Sequence, residues 1–338
     1  MPTTKILSVS FVIALLFQGG TGYQVTGRYA IGGVGGFDYI TIDSSARRLY
    51  VSHSTQVEVL DADSGKIVGT IPDTPGVHGA AIASAFKHGF TSNGRENKVS
   101  MFDSTTLALI KKIDVGKGPD GIYYDERTKR VFTNNHGTHD ITALDAATGV
   151  VVGTVQAKGD GESAIIGSDG LIYVNIEDTA EVVAFDPKSL EVKHRFPIGV
   201  ARVPTGLAYD AKTNRLFIGC REEPKMVVMD ASSGKVITSF PIGRGVDFAG
   251  FDPQAKLIFF SCSDGTLSIF HEKSADAYDD AGAVKTQPSA RTMAFDPKTK
   301  KIFLPAAEYT ETPPAQAGGR PTRTMKPGSF AVLVVSKS

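Results

Sequence analysis

Seven positions spaced roughly 42 residues apart carry Asp38, His78, Asp120, Glu162, Thr205, Asp247 and Arg291. Carboxylates, an imidazole and a guanidinium at one recurring position form a set able to bind charge. If the fold gathers them, the carboxylates repel one another unless something compensates. A bound cation, a cationic ligand, the Arg291 guanidinium or carboxyl groups that keep their protons would each do so. Oxygen ligands from Asp38, Asp120, Glu162 and Asp247 suit Ca²⁺, Mg²⁺ or Mn²⁺, and adding His78 moves the set toward Zn²⁺. The plain alternative is a polar lining filled with ordered water. A second recurring position holds His53, Asn93, Asn135, Ile176, Cys220, Cys262 and Ala306, with Arg95, His136, His139, Glu177, Arg221 and Glu222 beside it. A histidine there, His53 or His136, within reach of a carboxylate could act as a general base or a metal ligand. Arg291 could stabilise an oxyanion.

The elements that must position these residues follow from an internal repeat. An Asp opens a turn after an apolar strand at Asp61, Asp103, Asp145, Asp186 and Asp230, at steps of roughly 42 residues, the length of a four-stranded propeller blade. A second Asp-led turn, followed by a basic residue and an aromatic strand, recurs at Tyr124–Phe132, Tyr209–Phe217 and Phe295–Phe303. Flanking runs are short and rich in β-branched and aromatic residues, which marks strands. The reading is an all-β, seven-bladed β-propeller of four-stranded antiparallel blades, whose innermost strands begin near Phe37, Val77, Pro119, Gly161, Pro204, Val246 and Ala290. The last blade has three strands at the C-terminus. The stretch Gln24–Ile31 is expected to supply the fourth and close the ring, which removes an exposed edge. Innermost strands line the central channel, so the first set of residues encircles its mouth. The loops carrying the second set share that rim. The neighbours Tyr39, Gly79, Gly121, Ser163, Gly206, Phe248 and Thr292 read mostly as packing positions.

Composition narrows the function classes. Basic and acidic residues number 36 each, so the formal net charge is zero. That balance, with no basic stripe, argues against nucleic-acid binding and against a polybasic membrane contact. Lys5 followed by the apolar run Ile6–Phe17 and the small residues Gly20–Gly22 reads as a signal peptide over 1–22. It predicts a periplasmic or secreted protein, with a single propeller domain over 23–338 and no membrane attachment after cleavage. A monomer is expected. The two cysteines, Cys220 and Cys262, occupy matching positions in adjacent blades. Buried free thiols are expected, because equivalent strand ends on neighbouring blades lie too far apart for a bridge. The connection 305–329 of the last blade is long and rich in Pro and Gly. It leaves from the acidic rim with Arg320, Arg323 and Lys326, and could fold over the funnel as a lid or hang as a loose insertion.

The segments Tyr50–His53, Phe132–Asn135 and Tyr173–Ile176 look like degenerate copies of a Tyr-Val-Thr-Asn repeat. Through them the chain resembles the YncE-like, or YVTN-repeat, exported β-propellers over residues 24–338. That resemblance implies the propeller fold and leaves function open, since such propellers include binding modules and lactonase-like enzymes. Three functions remain in view. One is a binding protein holding a divalent metal ion or a small polar ligand in the funnel through Asp38, His78, Asp120, Glu162, Asp247 and Arg291. Another is a metal-assisted hydrolase using the same residues. The last is a protein-interaction platform at the funnel rim.

Overall fold

The computed structural model describes residues 20–312 and 322–337. Most of the expected signal peptide, residues 1–19, lies outside the described residues. Seven four-stranded antiparallel sheets form a ring, and in each the strands, A to D, run outward from the channel. The A strands of blades two to six are Val77–Ala83, Pro119–Asp125, Gly161–Ile166, Pro204–Asp210 and Val246–Asp252. Each starts where the repeat placed it. Blades one and seven differ: their A strands are only Ile40–Asp43 and Ala294–Phe295. Asp38 and Arg291 therefore sit in lead-in segments ahead of the ladder.

The repeated Asp residues turn the chain. Asp61 accepts hydrogen bonds from the backbone N–H and hydroxyl of Ser64 at 2.7 and 2.6 Å. Asp145 does the same with Thr148, and Asp230 with Ser233. These bonds satisfy backbone donors that a turn would otherwise leave bare. Gly65 then adopts φ +71°, and a Cβ there would lie 2.2 Å from the Tyr29 ring, so only glycine fits.

Ring closure is as expected. Tyr23–Ala30 pairs antiparallel with Ala331–Lys337, from Tyr23↔Lys337 to Ala30↔Ala331, and completes blade seven as its outermost strand. The cores lie between neighbouring blades rather than within them. Phe132 of blade three packs edge-on against Phe185 of blade four at 5.5 Å, and Phe217 of blade five against Tyr278 of blade six at 6.0 Å. Each blade buries both faces, so no blade is stable alone and the ring holds as one unit.

The long connection of blade seven is not structureless at its base. Tyr309–Thr312 and Thr322–Met325 pair as a small antiparallel hairpin on the funnel rim. Its tip, 313–321 with Arg320, lies outside the described residues. Lys326 pairs with Glu308 at 3.0 Å rather than with the channel carboxylates.

Candidate functional site

The backbone itself aims the recurring polar residues. In blades two to six the A–B register shifts between Val77 and Ala80, Pro119 and Ile122, Gly161 and Ala164, Pro204 and Gly206, and Val246 and Phe248. Each bulge spans the polar position of its blade. A bulge breaks the strict in-out alternation of a strand and re-aims a side chain. Polar ties lace neighbouring blades at the same level. Asn134 donates to the Glu162 carbonyl (2.6 Å), Asn175 to the Gly206 carbonyl (2.9 Å) and Thr205 to the Val246 carbonyl (2.8 Å). Ser261 donates to the Arg291 carbonyl (2.5 Å) and Thr292 to the Asp38 carbonyl (2.6 Å). The asparagines of the repeat-like segments thus serve the ring.

Five of the seven recurring side chains enter one ionic network, which divides into two halves, and Glu162 stands beside it. On one side, Arg291 reaches Asp38 at 3.0 Å and Asp247 at 3.0 Å. Arg221 binds Asp247 from the other flank and Glu177 at 3.3 Å. On the other side, His78 Nδ1 lies 2.7 Å from Asp38 Oδ2 and 3.4 Å from Asp120 Oδ1. His136 turns Nδ1 toward Asp120 Oδ2 at 3.8 Å, while its Nε2 sits 2.9 Å from the Gly161 carbonyl. A carbonyl only accepts, so Nε2 of His136 carries the proton there. Glu162 accepts a 2.8 Å hydrogen bond from Tyr39, which crosses the channel from blade one to blade four. Thr205 is spent on its neighbour's backbone.

The ring manages its charge by both protein routes that the sequence allowed. Arginines neutralise Asp38 and Asp247. The other two carboxyl groups hold their protons more tightly than free ones. Burial pushes the Asp120 carboxyl up to about 6, opposed by His78 and reinforced by Asp38. Burial, then Asp120 and Asp247, hold Glu162 well above the usual carboxylate range. Burial works against charge on His78, but its bond to Asp38 and the field of Asp120 outweigh that and raise its pKa.

Tyr39 is a channel residue whose polar contact its sequence position did not announce. Its ring meets Phe248 edge-on at 5.9 Å, and with Glu162 these groups close the channel below the ring. A small cavity of about 130 Å³, lined by Tyr39, Glu162, Phe248 and the next residues of the A strands, lies on the far side. Arg221 was legible only as a rim neighbour and proves central. His53 stands apart. It is buried against the Phe330 ring (4.8 Å), 3.2 Å from the Val34 carbonyl and 3.6 Å from Glu58, none of which belongs to the channel network. Its role as a base has no reacting group near it, because the B strand of blade one turns it outward into the seam with the last blade. His139 pairs with Asp160 at 2.9 Å on the open rim. Cys220 and Cys262 are free and buried.

Among the described residues, three groups of side chains could hold a metal ion. Asp38, His78 and Asp120 offer ligand atoms within 4.8 Å of one another, as do Asp120, His136 and Glu162. The third, His139, Asp160 and Asp178, lies at the open edge of the rim, apart from the channel network.

The fold and its blocked, polar funnel define the chain as a seven-bladed β-propeller. Among solved structures, it is similar to hydrazine synthase of Kuenenia stuttgartiensis, with a TM-score of 0.68 and 16% identity, over 83% of this chain and 95% of that one. At that identity the likeness is one of fold. No protein-family model and no curated protein matches the chain.

Proposed function

We propose that this is an exported binding propeller of the YncE-like kind, which seats one divalent transition-metal ion at the Asp120 corner of its funnel. The observation that carries this reading is Asp120 Oδ1. It is buried and has no hydrogen-bond partner; His78 Nδ1 faces it, while His136 Nδ1 faces the other oxygen of the same carboxylate, Oδ2. A buried orphan carboxylate oxygen is costly. Separations of 3.4 and 3.8 Å are long for hydrogen bonds. The 3.4 Å between His78 and Oδ1 falls within the ~3–3.5 Å expected between two ligands of one ion with bonds of about 2.1 Å. Each candidate group at this corner joins one imidazole to carboxylates, Asp38, His78 and Asp120 or Asp120, His136 and Glu162, and an imidazole among the ligands favours Zn²⁺ or a similar ion over Ca²⁺ or Mg²⁺. The ion would replace the proton that His78 shares with Asp38, and Arg291 would keep Asp38 neutralised. Glu162, tied to Tyr39, would take part only in the grouping on the His136 side.

For the alternative hydrolase reading, His53 lies outside the channel network, while His136 and Arg291 both lie within it. The test is elemental analysis of protein purified without chelator or affinity metal, beside Asp120→Asn. Close to one equivalent of metal in the wild type, lost in the variant, is expected. Absence of metal, together with no heat on titration with Zn²⁺, would sink the reading.

A further inference from the structure

The other half of the mouth holds a chamber of about 310 Å³, which the metal reading leaves unused. Its wall combines loops of blades one, five, six and seven: Phe37, Arg221, Ser263, Arg291, Tyr309 and Arg323 are its chief side chains, beside Gly36, Gly245 and Ser289. Three guanidinium groups face it and no carboxylate does. The acids that balance them stand behind or beside the wall. Asp38 and Asp247 pair with Arg291, Asp247 and Glu177 with Arg221, and Glu311 with Arg323. His78 shares Asp38.

These pairings leave donors unspent. Arg291 uses Nε on Asp247 and Nη2 on Asp38, and its Nη1 has no protein partner among the described residues. Its side chain is 39% exposed and that of Arg221 36%, although both root in the ring; that exposure is to the chamber. Arg323 stacks on Tyr309 at 4.7 Å and holds Glu311 at 3.3 Å. Both members of that ion pair are open to solvent, so the pair is weak and Arg323 can be redirected to a ligand at little cost.

We propose that this chamber binds a small organic dicarboxylate. Planar guanidinium forks match carboxylates in geometry as well as charge. The cations come from different parts of the wall, Arg221 from the loop of blade five and Arg323 from the hairpin of blade seven, so two carboxylates of one ligand can each find a guanidinium. Phe37 and Tyr309 give the carbon skeleton apolar faces that an inorganic oxyanion would leave unused. The volume is at the lower end of the roughly 300–1,000 Å³ of small-molecule pockets, which limits the ligand to a short chain. The acids Asp38 and Asp247 orient the two deeper arginines and keep them from swinging away.

The chamber and the metal corner fail or succeed separately, because the binding test uses protein first dialysed against chelator. Succinate, its neutral analogue succinamide and inorganic phosphate are titrated into wild type, Arg323→Gln and Arg291→Lys, with binding read by calorimetry and folding by circular dichroism. The expected result is one-site binding of succinate, at least tenfold tighter than succinamide or phosphate. Arg323→Gln, on an exposed hairpin, should fold normally and bind at least fivefold more weakly. Arg291→Lys keeps the charge but loses the fork, and a folded variant should also weaken binding. No succinate binding to wild type, phosphate or succinamide within tenfold of succinate, or less than a fivefold loss in folded Arg323→Gln overturns the proposal.

Discussion

Replacing Glu272 by Gln should stabilise the protein at alkaline pH and leave it unchanged in acid. Glu272 lies on the third strand of blade six, Thr266–Ser274, and is fully buried. Its Oε1 accepts a 2.8 Å hydrogen bond from Thr213 of blade five, while Oε2 is buried with no partner. Burial, reinforced by the neighbouring Asp210 carboxyl, raises its pKa from 4.5 to about 7. The unfolded chain gives up this proton near the ordinary carboxylate value, and the folded chain keeps it until about pH 7. Between those values the unfolded state binds fewer protons, so stability falls as pH rises, and above about 7 the loss is complete. A shift of this size amounts to about 3 kcal/mol. Gln mimics the protonated acid, keeping the acceptor for Thr213 and offering an N–H to Asp210. Urea unfolding of wild type and Glu272→Gln at pH 5, 6, 7 and 8 measures the difference directly, and other carboxyl groups cancel in it. The advantage of the variant should grow with pH, by up to about 3 kcal/mol, and level off near pH 8. Parallel profiles for the two proteins would refute the assignment of a proton to this buried carboxyl.

Two further outcomes follow from the ring itself. Burial pushes both thiols, Cys220 and Cys262, up to about 12, so neither should react with a water-soluble disulfide reagent in the native state at pH 8, while both react in guanidinium; rapid native labelling of either would contradict their burial. Deleting residues 24–31 strips the outer strand from blade seven and bares the edge of Ala331–Lys337, so the melting temperature should drop by at least about 10 °C, or the transition lose its cooperativity; an unchanged melt would show that the strand does not close the ring.

The blade frame was legible because it is local. An Asp-led turn and a short apolar strand leave their mark within ten or so residues, and the starts at Val77, Pro119, Gly161, Pro204 and Val246 follow from it. The recurring polar position was legible for the same reason, being one place in each repeat. Who answers whom in the channel was not. Tyr39 and Glu162 are 123 residues apart, and Arg291 and Asp38 are 253 apart, so no local pattern joins them. Arg221 gave no signal beyond its place on the rim, although it carries half of Asp247. Tyr39 read as packing because its ring does pack, on Phe248, while its hydroxyl spans the channel. His53 misled because its periodic position fits the rim, yet the short first strand of blade one leaves it facing Phe330 and the Gly33 backbone. The hairpin at Tyr309 was hidden by the Pro- and Gly-rich stretch it brackets.

The join between blades seven and one has a further consequence. Blade seven is built from both ends of the described chain, and Arg291 and Asp38 meet directly across that join. Arg323 and Phe37 flank it from either side. The chamber therefore does not exist in a chain whose last blade is incomplete, however well the other blades have formed. Occupancy reports that the circle has been completed. A ligand there also acts as a clasp: it favours the joined state over any state with the join parted, by an amount that grows with the logarithm of its concentration. The join would then be a place where the environment of the protein sets its lifetime.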